Sequence, residues 1–267
     1  MQQNLHDLGY KQMTPIQAES LPISLSGKDV IGQAKTGSGK TAAFGLPMLN
    51  KINPSYFGIQ GLVLCPTREL ATQVANELRR LARYKANIKI ITLSGGTSIG
   101  PQIGSLEFGA HIVVGTPGRI LDHLRKKTVD FSHVSTLVLD EADRMLDMGF
   151  IRDIKRIIDL LPRRRQNLLF SATFSDDIRN LARGLLRKPI EISVSPRNAT
   201  ATSVTQHIHP VDKKKKAQLL TRLIHDGKWD QALVFTKTKH GVNKLTKHLE
   251  SEGIVAAAIH GNKSQGA

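Results

Sequence analysis

The residues best suited to chemistry form a glycine-rich loop near the start of the chain. This loop reads Ala34, Lys35, Thr36, Gly37, Ser38, Gly39, Lys40 and Thr41. Gly37 and Gly39 let the backbone approach a phosphate and direct N–H groups toward it, and Lys40 adds a positive charge. The Thr41 hydroxyl can ligate Mg²⁺. The strict pattern has glycine where this chain has Ala34, but the closing Gly-Lys-Thr carries the phosphate chemistry. The loop therefore predicts a nucleoside triphosphate site.

A second candidate is the acidic tetrad Asp140-Glu141-Ala142-Asp143, which ends the apolar run 137–139. α/β sheets place ligands at the carboxyl ends of their strands. We assign Asp140 to Mg²⁺, through coordinated water, and Glu141 to orienting and activating the attacking water. An acid-rich helix N-terminus would look similar, but the glycine-rich loop favours the catalytic interpretation. Lys40, Asp140 and Glu141 are the predicted catalytic residues, and Thr41 and Asp140 the predicted metal ligands.

A third candidate is the tripeptide Ser171-Ala172-Thr173, which follows an apolar run at 167–170. Its two hydroxyls are placed at a strand end and could bond Asp143, which would couple the site to its surroundings. Taken alone, the tripeptide is also typical of an ordinary turn or helix cap.

Seven short apolar runs, separated by amphipathic helical patterns, predict the elements that position these residues. The predicted strands are 29–33, 61–65, 88–93, 111–114, 136–140, 167–171 and 190–194. Several are continuously apolar, as expected for parallel strands buried on both faces. Amphipathic helices are predicted at 72–84 and 176–187. The alternation indicates an α/β fold with a doubly wound, mostly parallel sheet and right-handed crossovers.

Small polar residues at 195–203 predict a linker between two domains. Beyond it, strands are predicted at 205–211, 231–236 and 254–259, and helices at 213–225 and 239–252. These elements are too few for a domain like the first. We expect a first domain at 1–195, a linker at 196–204 and an incomplete second domain at 205–267. An unfinished sheet would expose an apolar strand edge near 254–259 and favour aggregation.

The amino-acid composition indicates which class of partner and which cellular compartment to expect. The net charge of +16, from 38 Lys+Arg against 22 Asp+Glu, favours a polyanionic partner, with nucleic acid first. The single cysteine, Cys65, excludes an internal disulfide, fits a reducing cytosol and follows an apolar run that predicts a core thiol. The chain shows no signal peptide and no membrane helix of ~20 apolar residues. Its ten histidines lack metal-ligand spacing, so zinc is not expected.

Further motifs occur in a recognisable order. They are Gly9-Tyr10 with Thr14-Pro15-Ile16-Gln17, then 66–71, 95–96, 116–119, 140–143, 147–150, 234–238 and 260–265. Together they resemble the motifs of DEAD-box ATP-dependent RNA helicases of the bacterial RhlE-like type, over nearly the whole chain. The first pair resembles the Q motif, and Asp140–Asp143 spells the family's name. The resemblance implies a RecA-like P-loop NTPase domain followed by a partial second RecA-like domain.

The resemblance also implies roles for individual residues. Gln17 should recognise adenine, which makes ATP the nucleotide, with Tyr10 and residues 34–41 as further nucleotide contacts. The RNA backbone should be contacted by Pro66, Thr67, Arg68, Gly95, Gly96, Thr116, Pro117, Gly118 and Arg119. Small residues expose backbone N–H groups and arginine pairs with phosphate, so these types suit the role. Such contacts carry no base sequence, and binding should be sequence-tolerant and weakened by salt.

The chain departs from the family pattern at both ends. The family's adenine-stacking aromatic residue would lie before Met1, and motifs V and VI would lie beyond Ala267. Arginine fingers such as those of motif VI are worth ~10³–10⁵ in rate. We therefore expect binding of ATP and Mg²⁺ with slow turnover, and no duplex unwinding by this chain alone.

Two other functions remain open from the sequence. The chain could be a non-catalytic RNA- or protein-binding module, or another P-loop enzyme such as a DNA helicase or a small-molecule kinase. Comparing RNA with DNA as the activator of ATP hydrolysis distinguishes an RNA helicase from a DNA helicase. We expect a cytoplasmic monomer, with ribosomal or RNA-processing proteins as candidate partners and no membrane association.

Overall fold

The computed structural model describes residues 1–194 and 205–260, and seven strands of this part form one sheet. Every neighbouring pair is parallel, in the spatial order β3-β4-β2-β5-β6-β1-β7. The strands are β1 (Val30–Gln33), β2 (Gly61–Leu64), β3 (Ile90–Leu93), β4 (Ile112–Gly115), β5 (Thr136–Leu139), β6 (Gln166–Ser171) and β7 (Ile190–Ser193). The seven strands predicted for the first domain are confirmed, with ends shifted by at most two residues.

Parallel strands require crossover connections, and helices supply them. Those of the first part of the chain are α1 (Gln2–Asp7), α2 (Pro15–Leu25), α3 (Lys40–Lys51), α4 (Arg68–Leu81), α5 (Gly100–Glu107), α6 (Pro117–Arg125), α7 (Ala142–Asp147), α8 (Ile151–Asp159) and α9 (Asp176–Leu185). A 3₁₀ turn at Ala82–Tyr84 extends α4 to the end of the predicted helix 72–84. The doubly wound α/β architecture is confirmed.

The sheet separates two apolar cores because successive strand residues point to opposite faces. In β2, Val63 packs with residues of α2, α3 and α4, and Cys65 joins the same core as a fully buried thiol. Leu62 and Leu64 pack on the other face with residues of α6, α7, α8 and α9. Burial on both faces explains why the strands read as continuous apolar runs.

The chain divides into two compact units, Met1–Ala199 and Thr200–Ala267. Within residues 205–260 of the second unit, a 3₁₀ turn (Lys213–Lys215) leads into α10 (Lys216–Gly227), and α11 (Lys239–Ser251) follows. Both predicted helices of this region are therefore present. The predicted linker at 196–204 and the family-like segment after His260 lie outside the described residues.

The three strands predicted for the second unit are wrong for residues 205–260, because 205–211, 231–236 and 254–259 carry no regular secondary structure. Several of their large apolar side chains are exposed, with Phe235 87% and Val255 101% accessible. A strand is stable only where a neighbouring strand takes up its backbone hydrogen bonds and its side chains are buried. Alternating apolar residues alone do not supply those partners. The exposed apolar surface expected near 254–259 is present, but it does not belong to a strand.

Candidate functional site

Most of the predicted site residues gather at the edge of the sheet where all seven parallel strands end. The segments that follow β1, β5 and β6, including the first residues of α3 and α7, carry the predicted metal and coupling residues and the nucleotide contacts 34–41, whereas Tyr10 and Gln17 precede β1. The segments that follow β3, β4 and β2, including the first residues of α4 and α6, carry the predicted RNA contacts. The two groups meet between β2 and β5, where Leu64 pairs with Leu139 and the Asp140 N–H donates to the Leu64 carbonyl at 3.0 Å. This edge is where α/β sheets bind ligands.

The glycine-rich loop connects β1 to the start of α3. Ala34 is buried, and its N–H donates to the Ser171 carbonyl at 3.0 Å, which ties the loop to the end of β6. Gly37 and Gly39 have φ angles of 80° and 89°, in the left-handed region that glycine adopts without strain. α3 begins directly afterwards at Lys40, so its N-terminal N–H groups and positive dipole end face the loop.

Lys40 lies beneath this loop with its ammonium group buried. The side chain is 6% exposed, and Nζ has no hydrogen-bond partner among the described residues. Its nearest counter-charge is Oδ1 of Asp140, 4.0 Å away. A buried ammonium without hydrogen bonds is costly. The arrangement is that of a cation held ready for an anionic ligand.

Asp140 follows the last residue of β5 and is 3% exposed. Burial raises its carboxyl pKa from 3.8 to about 6, against the opposing effect of the Lys40 ammonium. No group of three or more His, Cys, Asp or Glu side chains suited to a metal occurs in residues 1–194 and 205–260. One carboxylate together with the hydroxyl of Thr41, the residue that follows Lys40, fits Mg²⁺ as nucleotide enzymes hold it, since that ion keeps waters and takes most other ligands from phosphates.

Glu141 is held from two directions. The Thr36 hydroxyl donates to Oε1 at 2.9 Å, and Nη1 of Arg144 lies 3.5 Å from Oε2. Its backbone has φ 53°, a left-handed conformation that costs a non-glycine residue about 1 kcal/mol or more. Strain of this kind clusters at functional sites. The arrangement fixes a carboxylate beside the glycine-rich loop.

The loop after β6 is joined to α7 through Asp143. Its Oδ2 accepts hydrogen bonds from the N–H and the hydroxyl of Thr173, both at 3.0 Å. Its N–H donates to Oγ of Ser171 at 3.3 Å. The hydroxyl contacts expected from the sequence are present, while their coupling role stays a prediction.

Gln17 and Tyr10, both predicted to contact the nucleotide, have different surroundings. The Gln17 Oε1 accepts from the Thr14 N–H, and Nε2 donates to the Gly39 carbonyl, each at 3.0 Å. Gln17 is therefore in direct contact with the glycine-rich loop. The Tyr10 hydroxyl instead donates to Oε1 of Glu77 on α4 at 2.7 Å, and burial together with Glu77 raises its pKa above the ordinary value. The nucleotide roles of both residues stay predictions.

The predicted RNA contacts occupy three adjacent loops. Pro66 is buried, and the Thr67 hydroxyl caps α4 by accepting from the Leu70 N–H at 3.3 Å. Arg68, the first residue of α4, lies so close to Gly96 that a Cβ there would meet Nη1 at 2.6 Å. The loop after β2 therefore contacts the loop after β3.

The third loop is joined to the second in the same way. Thr116 precedes α6, whose first residues are Pro117 and Gly118, and its N–H donates to the Leu93 carbonyl at 3.1 Å. Nη2 of Arg119 donates to the Thr97 carbonyl at 2.8 Å. Nη1 of Arg119 is buried and has no hydrogen-bond partner among the described residues.

Sequence reasoning missed four residues that support this edge. Arg144 lies three positions after Glu141 on α7, a helical spacing that could have indicated the ion pair. Thr97, Gln102 and His123 take part through contacts between loops and helices that no local pattern indicates.

Comparison with known proteins decides the family. A family model described as DEAD/DEAH box helicase matches residues 14–181. The chain belongs to this family. It is 46% identical over 263 residues to the DEAD-box ATP-dependent RNA helicase CshA of Bacillus cereus, covering 98% of this chain and 50% of that protein. It is 45% identical over 262 residues to the ATP-dependent RNA helicase CshA of Listeria monocytogenes, with the same coverages of 98% and 50%.

A solved structure supports the DEAD-box assignment. A DEAD box protein from the hyperthermophile Methanococcus jannaschii matches with a TM-score of 0.69 and 38% identity, covering 99% of this chain and 71% of that chain. The chain spans about half the length of the curated relatives it matches. Those relatives carry the name CshA, so the RhlE-like subtype stays a prediction. No helix within the described residues is long and apolar enough to cross a bilayer.

Proposed function

We propose that this chain is the core of an ATP-dependent RNA helicase, which couples ATP hydrolysis to local separation or remodelling of RNA duplexes. The observation that carries the proposal is the shared carboxyl edge of the sheet. There Lys40, Asp140 and Glu141 share the edge with the starts of α4 and α6, which carry Arg68 and Arg119. Membership of the DEAD/DEAH box family and the names of the relatives support the same activity.

In this proposal the nucleotide half of the edge performs the hydrolysis. Lys40 balances the charge of the β and γ phosphates, and the loop N–H groups donate to their oxygens. Thr41 and Asp140 would hold Mg²⁺, which supplies charge neutralisation of the triphosphate when bound. Glu141 orients the attacking water and accepts its proton. Gln17 selects adenine while it contacts the loop through Gly39.

The RNA half of the edge binds backbone. In this proposal Thr67, Arg68, Thr116 and Arg119 contact phosphate and ribose, so binding is independent of base sequence and weakens with salt. Asp143 couples the nucleotide site to its surroundings through its hydrogen bonds to Ser171 and Thr173. We propose domain limits of 1–195 and 205–267, separated by a linker at 196–204.

We further propose that the protein acts in the cytoplasm as a monomer and meets ribosomal or RNA-processing proteins on its RNA targets. The net charge of +16 supports association with RNA, the polyanion on which such proteins would be met. The one cysteine is a buried core thiol, in keeping with a reducing compartment.

The test is steady-state ATP hydrolysis by the 267-residue chain, with and without RNA. Glu141→Gln serves as the blank, and Lys40→Ala should abolish ATP binding. Lys28→Ala, an exposed lysine two residues before β1 and outside the predicted nucleotide contacts, is the matched control and should retain binding. RNA-stimulated turnover above the blank supports the helicase core. Equal stimulation by DNA favours a DNA helicase, and binding of RNA without turnover favours a non-catalytic module.

A further inference from the structure

Residues Ser94–Ile99, which follow β3, form the contact loop. This loop contains Gly95 and Gly96. Gly96, Thr97 and Ser98 are exposed, so the loop depends on a few hydrogen bonds for its shape. Two of these come from one side chain on α5. Nε2 of Gln102 donates to the Ser94 carbonyl and to the Thr97 hydroxyl oxygen, each at 3.0 Å.

Gln102 is itself held by a buried histidine on α6. Because the Ser94 carbonyl can only accept, the amide nitrogen must face it, and Oε1 faces His123, whose Nε2 lies 3.2 Å away. Oε1 only accepts, so the histidine Nε2 carries the proton. The other ring nitrogen, Nδ1, lies 2.8 Å from the Thr128 hydroxyl. Burial and the nearby Arg119 charge lower the His123 pKa, which keeps the ring neutral at pH 7.

The contact loop is also the neighbour of the arginine predicted to bind phosphate. Thr97 is held twice, with its hydroxyl bonded to Gln102 and its carbonyl to Nη2 of Arg119 at 2.8 Å. The Arg119 side chain is 11% exposed, and its Nη1 has no hydrogen-bond partner among the described residues. A displacement of Thr97 would therefore remove the Arg119 hydrogen bond and leave that side chain, within the described part of the chain, with only the Asp122 carboxylate, 3.9 Å from Nε.

We infer that Gln102 and His123 are positioning residues of the RNA-binding edge, which hold the contact loop and Arg119 in the arrangement that receives RNA phosphates. The inference rests on the proposed function and deepens it. His123 is fully buried and both ends of the Gln102 amide are engaged, so neither residue is expected to touch RNA itself.

The experiment measures binding of the 267-residue chain to a fluorescein-labelled single-stranded RNA by anisotropy at one salt concentration. His123→Phe and Gln102→Leu should each weaken RNA affinity about tenfold, because removal of one member loosens the hydrogen-bonded network. Affinity for a fluorescent ATP analogue should change by less than about twofold, since the network does not reach the glycine-rich loop. His123→Gln should bind RNA more tightly than His123→Phe and nearly as well as the unchanged chain, because the amide nitrogen of the introduced side chain can donate to Gln102.

His111 provides a matched control. It is also fully buried and uses both ring nitrogens, at 3.1 Å from the Pro54 carbonyl and 2.9 Å from the Lys89 N–H. It directly precedes β4, at the opposite edge of the sheet from the contact loop. His111→Phe should cost stability as His123→Phe does and leave RNA affinity within about twofold. Amide hydrogen exchange of residues 94–99 should accelerate in His123→Phe and Gln102→Leu and not in His111→Phe.

The outcomes separate this inference from the proposed function. If the unchanged chain binds RNA and Arg119→Ala weakens binding, while His123→Phe and Gln102→Leu have no effect, the inference is wrong and the function stands. Equal losses for His123→Phe and His111→Phe would show general destabilisation and also overturn it. Absence of RNA binding by the unchanged chain overturns both.

Discussion

The hydroxyl of Thr36 donates a 2.9 Å hydrogen bond to Oε1 of Glu141, across 105 positions of sequence. This contact joins the glycine-rich loop to the carboxylate proposed to orient the attacking water. Nη1 of Arg144 lies 3.5 Å from Oε2, the other carboxylate oxygen of Glu141. The Glu141 side chain is thus held at both oxygens, on a backbone with φ 53°.

Loss of the Thr36 hydroxyl should slow hydrolysis more than it weakens binding. Thr36→Val leaves one Glu141 oxygen without its donor, and we expect kcat for ATP to fall about tenfold while the ATP dissociation constant changes by less than threefold. Thr36→Ser keeps the hydroxyl and should retain activity. RNA-stimulated phosphate release and equilibrium nucleotide binding measure the two effects. A loss confined to binding would contradict the role given to this contact.

Asp140 should make the nucleotide-free protein less stable at high pH. Its pKa is raised from 3.8 to about 6, so the folded state binds more protons than the unfolded state between these values. Stability therefore falls as pH rises through this window, and above it the cost is about 3 kcal/mol. Asp140→Asn lacks the ionisation and should gain stability relative to the unchanged chain between pH 4.5 and pH 8, as measured by urea unfolding.

Asp130 offers a control of opposite sign for that experiment. Hydrogen bonds from the Ser132 N–H and hydroxyl lower its pKa, so its contribution is present at neutral pH and disappears as pH falls. Asp130→Asn should lose stability relative to the unchanged chain at pH 8 and not at low pH. Parallel pH profiles for Asp140→Asn and the unchanged chain would contradict the expected cost of burying Asp140.

Arg119 should contribute one phosphate contact to RNA binding. Arg119→Ala should weaken binding to all RNA sequences alike and reduce the slope of log affinity against log salt by about 1. Arg125 on the same helix is 65% exposed and lies 3.8 Å from Asp122, which makes Arg125→Ala the matched loss of charge. It should leave the slope nearly unchanged. Titrations of one labelled RNA at several salt concentrations distinguish the two variants.

Asp29 should be important for stability at the opposite edge of the sheet. It is 6% exposed and accepts from the N–H and Nδ2 of Asn167 at 2.8 and 3.0 Å, and from the Arg187 N–H at 2.8 Å. Asp29→Ala leaves buried donors unpaired and should lower the free energy of unfolding by about 3 kcal/mol. Asp7→Ala, on the exposed α1, should cost less than about 0.5 kcal/mol. Similar unfolding midpoints would contradict the structural role of Asp29.

Local chemistry made much of the first unit predictable. Strands such as β2 and β5 are buried on both faces, so burial leaves a continuous apolar run that can be recognised without a structure. The glycine-rich loop was predictable because Gly39 and Lys40 perform their roles through backbone geometry and the start of α3. The strands predicted at 231–236 and 254–259 are wrong because pairing is not a local property, and these residues have no neighbouring strand within residues 1–194 and 205–260.

The sequence by itself determined the types and order of the elements in the first unit and the residues that end its strands. The spacing of apolar residues and the side-chain chemistry that indicate these features are contained within short segments. Only the tertiary structure decided which of those residues meet. The order β3-β4-β2-β5-β6-β1-β7 places the segments predicted to contact RNA beside those predicted to bind the nucleotide. It also brings Thr36 to Glu141 and Gln102 to His123. Such contacts depend on how strands separated along the chain pair with one another, and no short segment contains that information.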